Sequence, residues 1–296
     1  MELTPLRYFR AIASHGHLTR AAESLGVTQP ALSAMLRKLE AEVGAALFHR
    51  SGRGVALTDA GRVFLTHAEV ALRGAEDASR AVRELMGLEQ GTIRVGGGAT
   101  ATTYLLPPVI SSMRRAHPGL RYFVREAGSG AVAAAVRDGE LDLGIVTLPV
   151  LTAGAQDLVR VPLVEDELRL IVPPGHALEG AKGGFRWAAL RGESVVAFEA
   201  GSAVRGVIDR ASAEAGVVLD VVMELRSIES ITEMVRAGIG VGFVSRFAVG
   251  PAGGLHCRER RLTRSLAIVK RRDRELSVAA AGFEAELLRA ARGMRG

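Results

Sequence analysis

The chain of 296 residues has a single cysteine, Cys257. One thiol can neither close an internal disulfide nor build a cysteine-rich zinc site, so Cys257 reads as a small apolar packing residue. His15 and His17 lie two apart at a helix junction, a poor geometry for holding a metal. No metal and no cofactor are expected. Long apolar runs are also missing. Nothing approaches the roughly 20 residues of a membrane span, and the opening MELTPLRYFR lacks the basic-then-apolar order of a secretion signal. Cytoplasmic location without a membrane partner is the expectation. Catalytic signatures are equally poor. Gly96-Gly97-Gly98 lacks the Lys-Ser/Thr of a phosphate loop, Gly238, Gly240 and Gly242 run from helix into strand, the reverse of a dinucleotide fingerprint, and no Gly-x-Ser-x-Gly elbow occurs. The chain is not expected to be an enzyme, and no catalytic residue is assigned.

What is present is apolar and basic. Hydrophobic residues make up 48%, which excludes global disorder, and the length allows two or three domains. The net charge of +6 favours an anionic partner without locating it. Residues 1–58 hold Arg7, Arg10, Arg20, Arg37, Lys38, Arg50 and Arg53 against Glu2, Glu23, Glu40 and Glu42. A larger basic cluster, Arg258 to Arg274, reads equally well as a solvated surface.

Leu3, Leu6, Phe9 and Ile12 recur at helical spacing, as do Leu18, Ala21/Ala22 and Leu25. Gly26 ends the second helix, Thr28 is an N-cap, and Pro30 falls in the first turn of a third helix, where its missing N–H is harmless. That helix turns Leu32, Leu36, Leu39 and Val43 inward and leaves Gln29, Ser33 and Arg37 on the opposite face. The spacing fits a helix-turn-helix whose second helix enters a major groove. Leu47 to Thr58 reads as a hairpin with Arg50 and Arg53 near its tip, a wing able to reach phosphates. Spacing alone leaves a three-helix subdomain with a solvated polar face as an equal reading.

The run Leu18 to Ser33, continued by Leu39-Glu40, Gly44, Leu47-Phe48, Arg50, Leu57-Thr58 and Ala60-Gly61, resembles the N-terminal signature of the LysR family of bacterial regulators. The resemblance implies that Gln29, Pro30, Ser33 and Arg37 face double-stranded DNA, with Thr28 at the helix start and Arg50 and Arg53 on the wing. It also implies an interrupted palindromic operator read by a homo-oligomer, dimer or tetramer. From Thr58 an alanine-rich segment carries Phe64, Ala68, Ala71, Ala75, Ala78, Val82 and Leu85 at 4-3 spacing, an a/d seam suited to pairing with another helix. In the family that helix pairs with its counterpart in a second subunit.

Beyond Gly91, strands and helices alternate as in a parallel sheet wrapped by helices. Gly139–Ile145, Val235–Gly242 and Arg205–Asp209 resemble the family's two-lobed effector domain, similar in fold to periplasmic binding proteins. The expected fold is α/β with an all-α, winged N-terminal domain. Its parts are a winged helix-turn-helix at 1–58, a linker helix at 59–88 and an effector domain at 89–296. Lobe I would hold 89–160 and 266–296 and lobe II 161–265, the chain crossing near 160 and 265. Ligands of such sheets sit beyond the strands' carboxyl ends, where helix N-termini offer free N–H groups. The residues there are Thr100, Thr102, Thr103, Ser129, Thr147, Gly201, Ser202 and Ser227. For any one hydroxyl a helix cap is the simpler role. Together they suggest a small-molecule effector, with an anion suited to the free N–H groups, although no arginine stands clearly at a strand end to clamp one. Two other classes compete with a ligand-responsive regulator. One is an enzyme or carrier in which Phe198, Ser202 and the threonines line a catalytic or carrier site. The other is an architectural protein that binds DNA by shape.

Overall fold

A computed structural model describes residues 2–51, 54–85, 91–150, 152, 154–181, 183–250 and 253–294. The chain divides into two units, Met1–Gly87 and Leu88–Gly296.

The first unit runs α1 (Leu3–His15), α2 (Leu18–Leu25), α3 (Gln29–Val43), β1 (Phe48–Ser51), β2 (Gly54–Leu57) and α4 (Asp59–Leu85). Between α2 and α3 the chain must reverse within a few residues. Gly26 does this at φ 67°, the Val27 N–H returns to the Ala22 carbonyl, and Thr28 Oγ1 accepts from the Ala31 N–H at 3.4 Å. Ala21 and Ala22 are buried against Ile12 and Leu32, and their small side chains let the helices cross closely. A second cluster joins Leu6, Phe9, Leu39 and Leu47 to Ala68 and Leu72 of α4, with Phe9 edge-on to Phe64 at 5.0 Å.

The β1–β2 hairpin is antiparallel and held from two sides. The Val55 N–H donates to the Gly16 carbonyl at 2.9 Å, and a Cβ on Gly54 would stand 2.3 Å from that oxygen, so only glycine fits. Glu40 Oε1 accepts from the Leu47 N–H at 2.7 Å and the Phe48 N–H at 3.3 Å, tying the end of α3 to the wing. Glu40→Ala leaves these two part-buried donors unpaired, an expected loss of about 1–3 kcal/mol. A lowered urea midpoint checks it; an unchanged midpoint would mean that water takes the carboxylate's place.

The second unit runs β3 (Thr92–Gly97), α5 (Leu106–Ala116), β4 (Arg121–Glu126), α6 (Ser129–Arg137), β5 (Leu143–Thr147), β6 (Leu158–Ile171), β7 (Ser194–Phe198), α7 (Ala203–Glu214), β8 (Asp220–Leu225), α8 (Ile228–Arg236), β9 (Val241–Ser245), α9 (Arg246–Val249), β10 (Thr263–Arg271) and α10 (Val278–Gly293). The strands form one sheet in the order β4-β3-β5-β10-β6-β9-β7-β8. β3 is parallel to β4 and β5, and β7 to β8 and β9, whereas β10 and β6 are antiparallel to each other and to β5 and β9 respectively. One apolar core holds Leu163, Leu266 and Phe283, and another holds Leu168, Phe243 and Leu262. The passage between lobes therefore falls at 165–167 on β6 and 263–265 on β10. β6 is 14 residues long because it serves both lobes, and the first crossing lies beyond the expected 160.

A π-helical turn, Ala101–Leu105, precedes α5, with the Leu106 N–H bonded to the Ala101 carbonyl. Pro107 and Pro108 follow and donate no N–H to the turn before them, which accounts for the widened ladder.

Candidate functional site

On the first unit, α3 buries Leu32 and Leu39 and exposes Gln29, Pro30 and Arg37, with Ser33 half-buried. Gln29 Nε2 donates to Ser33 Oγ at 3.0 Å, so the polar residues form one continuous strip. No carboxylate interrupts it before Glu40, whose oxygen is turned to the wing. Such a strip, led by amide and hydroxyl groups and followed by a guanidinium, can read base edges and phosphates together. Arg53 and the side chain of Arg50 lie outside the described residues.

On α4 the anticipated seam divides. Phe64 and Ala68 pack into the unit's own core together with Leu72, which the 4-3 spacing did not single out. Ala71, Ala78 and Val82 are exposed and Ala75 is half-buried, while the side chain of Leu85 lies outside the described residues. What the seam offers outward thus begins at Ala71.

In the second unit a cleft of about 530 Å³ opens where α6, α7 and the turn before α5 converge. Thr100, Ser129, Thr147, Gly201 and Ser202 line it. Thr102, Thr103 and Ser227 do not, a correction to the expectation that helix-start hydroxyls converge there. Thr102 Oγ1 turns to the Gly98 and Ala99 carbonyls and to Glu126, Thr103 is exposed, and Ser227 caps α8 by accepting from the Ser230 N–H. The reason for the first two is the π-helical turn, which rotates residues 102 and 103 away from the direction a regular helix start would give them.

The floor holds a residue the sequence reading missed. Arg264, 6% exposed, lies where β10 crosses between lobes. Its Nε and Nη2 meet Asp166 Oδ2 at 2.8 and 2.7 Å, and Ser245 Oγ donates to Asp166 Oδ1 at 2.8 Å. Nη2 also donates to Thr100 Oγ1 at 2.6 Å and Nη1 to Thr147 Oγ1 at 3.4 Å. The basic run around it suggested solvated surface. The usable signal was period: Arg264, Leu266 and Ile268 alternate along β10, and a charge at an inward position requires a buried partner. The opposite wall is fixed differently. The Ala200 N–H and then the Arg205 guanidinium hold the Glu224 carboxyl below the usual carboxylate range, which braces the loop from Phe198 to Ser202.

No helix among the described residues is long and apolar enough to cross a membrane, and no cluster of His, Cys, Asp and Glu among them is arranged to hold a metal ion. Residues 3–62 match the model of the bacterial regulatory helix-turn-helix protein, lysR family, and residues 86–292 that of the LysR substrate binding domain. A probable RuBisCO transcriptional regulator of Cyanophora paradoxa is 35% identical over 97% of this chain and 91% of its own length. One of Synechocystis is 33% identical over 97% and 85%. A full-length OxyR variant from Pseudomonas aeruginosa superposes with a TM-score of 0.70 at 28% identity, covering 99% of this chain and 95% of its own. CbnR, described as a LysR family transcriptional regulator, superposes at 0.71 and 21% identity over 98% and 99%, a likeness of fold. An enzymatic reading finds no support in these relatives. With both of its domains matched and relatives aligned along nearly its whole length, the chain belongs to the LysR family of DNA-binding transcriptional regulators.

Proposed function

We propose that this regulator binds an interrupted palindrome as a homo-oligomer, reads it with Thr28, Gln29, Pro30, Ser33 and Arg37 and the wing arginines Arg50 and Arg53, and answers to a small molecule held in the cleft lined by Thr100, Ser129, Thr147, Gly201 and Ser202. The observation that carries the DNA side is the unbroken polar strip on α3, exposed opposite Leu32 and Leu39. Paired domains joined through the outward part of α4 would present two such strips to successive half-sites. The cell compartment consistent with this work is the cytoplasm. The names of its relatives support a RuBisCO promoter as the first operator to try. A ligand in the cleft touches both lobes and can alter DNA binding only by favouring one arrangement over another. Footprinting of that promoter with and without candidate effectors tests the whole reading, since a ligand-independent footprint would exclude the sensing part.

Arg37→Ala is expected to weaken operator binding by about 1–3 kcal/mol, with relaxed preference at one base pair if the contact is to a base edge, and evenly across sequences if it is to phosphate. Gel-shift titration at fixed salt measures it. Unchanged affinity would remove α3 from the groove.

A further inference from the structure

The side-chain hydroxyls around the cleft divide by where their protons go. Off the cleft, Thr102 donates to Glu126 at 2.6 Å and Ser227 to Glu229 at 2.7 Å; beneath it, Ser245 donates to Asp166 at 2.8 Å. These protons are spent on the protein. On the cleft the polarity is reversed. Thr100 and Thr147, 6% and 5% exposed, accept from Arg264, Ser129 Oγ accepts from the Thr147 N–H at 3.0 Å, and Ser202 Oγ accepts from the Arg205 N–H at 3.2 Å. None of the four donates to an acceptor among the described residues. A hydroxyl carries one proton, and a guanidinium offers donors only, so a threonine bound to Arg264 cannot return its proton there. The protons of Thr100 and Thr147 are left for whatever fills the cleft.

The arginine is itself locked. Asp166 takes its Nε and Nη2, and Ser245 from the second lobe holds Asp166. A relay thus runs from Ser245 through Asp166 and Arg264 to Thr100 and Thr147 in the first lobe, each link with fixed direction. The N-termini of α6 and α7 add N–H groups on the same side. The two carboxylates on the cleft are engaged already, Glu126 by Thr102 and Glu199 by Arg226 at 2.7 Å.

We propose that Arg264 is a positioning residue that aims the free protons of Thr100 and Thr147 into the cleft, and that the cleft therefore takes its effector by an acceptor-rich anionic head, a carboxylate or a sulfate- or phosphate-type group. This rests on the reading of the cleft as the effector site. A ligand amine on the same floor would find only the second lone pairs of hydroxyls that already accept from Arg264 and of carboxylates that are already paired, and would leave the two threonine protons without an acceptor. The charge of Arg264 is neutralised by Asp166, so its contribution is the orientation of the two hydroxyls more than bare attraction.

The test is calorimetric titration of the full chain, at constant ionic strength, with sulfate, malonate and methylammonium as probes. Saturable uptake of sulfate or malonate, and none of methylammonium, is expected. Thr100→Val with Thr147→Val keeps Arg264 paired to Asp166 and is expected to weaken anion binding about tenfold or more. Arg264→Lys keeps the positive charge but cannot hold both hydroxyls, and is expected to weaken it similarly. Wild-type affinity in Arg264→Lys overturns the positioning role. If that variant fails to fold, the threonine pair decides alone, and undiminished binding there overturns the proposal, as does a wild-type chain that takes up neither anion or prefers methylammonium. Ala131→Phe separates the two claims by filling the mouth without touching the donors. Anion binding that survives Ala131→Phe refutes the cleft as the site, whereas binding lost there but unchanged in the threonine pair leaves the site standing and refutes the relay.

Discussion

Asp166→Ala is expected to destabilise the effector domain by about 3–5 kcal/mol, a loss characteristic of leaving one member of a buried ion pair without the other. The Asp166 and Arg264 side chains are 0% and 4% exposed, so neither charge is screened by water. Without Asp166, Arg264 retains only the neutral hydroxyls of Thr100 and Thr147, which do not balance a buried cation. Ser245 loses its acceptor at the same moment. The double change Asp166→Leu with Arg264→Met is expected to cost much less than Asp166→Ala, since both charges vanish and the volume is kept. Urea unfolding of the variants gives the comparison. A loss below about 1 kcal/mol for Asp166→Ala, the range of exposed pairs, would mean that water reaches the crossing strands.

Asp at both Ala71 and Ala75 is expected to abolish oligomerisation through α4 and to lower operator affinity by about 10²–10⁴, because the second half-site is then no longer engaged at high effective concentration. Two carboxylates one turn apart in a helix seam cannot be buried unpaired without a cost of several kcal/mol. Neither alanine belongs to the core of its own unit, where Ala68 and Leu72 do. The variant should therefore keep its helical circular dichroism while sedimenting as a monomer. An unaltered oligomer would point to another face of α4, the one carrying Val63 and Val70, which are 63% and 50% exposed.

Legibility followed how local the cause was. The strip Gln29, Ser33 and Arg37 could be read because one helix's period decides it. The seam on α4 could be read as a pattern, but the pattern does not say which partner each residue meets: Phe64 and Ala68 meet α1's side of the same unit, and Leu72, between two seam positions, is buried at 2% exposure. Thr102 misled for a backbone reason, since an i, i+5 turn ahead of Pro107-Pro108 has no simple periodic mark. Asp166 and Arg264 stand 98 residues apart, and only the sheet brings their strands together. Sequence shows Arg264 only as one charge in a basic run and Asp166 as one acid among its neighbours, and it takes the topology to make them a pair.

The long strands β6 and β10 also decide the order in which the domain can be completed during synthesis. Residues 168–262 form a contiguous segment whose core, from Leu168 to Leu262, is whole once that segment has left the ribosome. The other lobe starts earlier but ends later. β5 must wait for β10 to fill the place beside it, and Phe283 and Leu287 of α10 complete its core. Its closure therefore brings together groups as far apart as Thr100 and Arg264, 164 residues along the chain, and such distant contacts form slowly. The lobe translated first is the last to close, and until the final helix emerges its apolar strands β3 and β5 are the part of a nascent chain most in need of a chaperone.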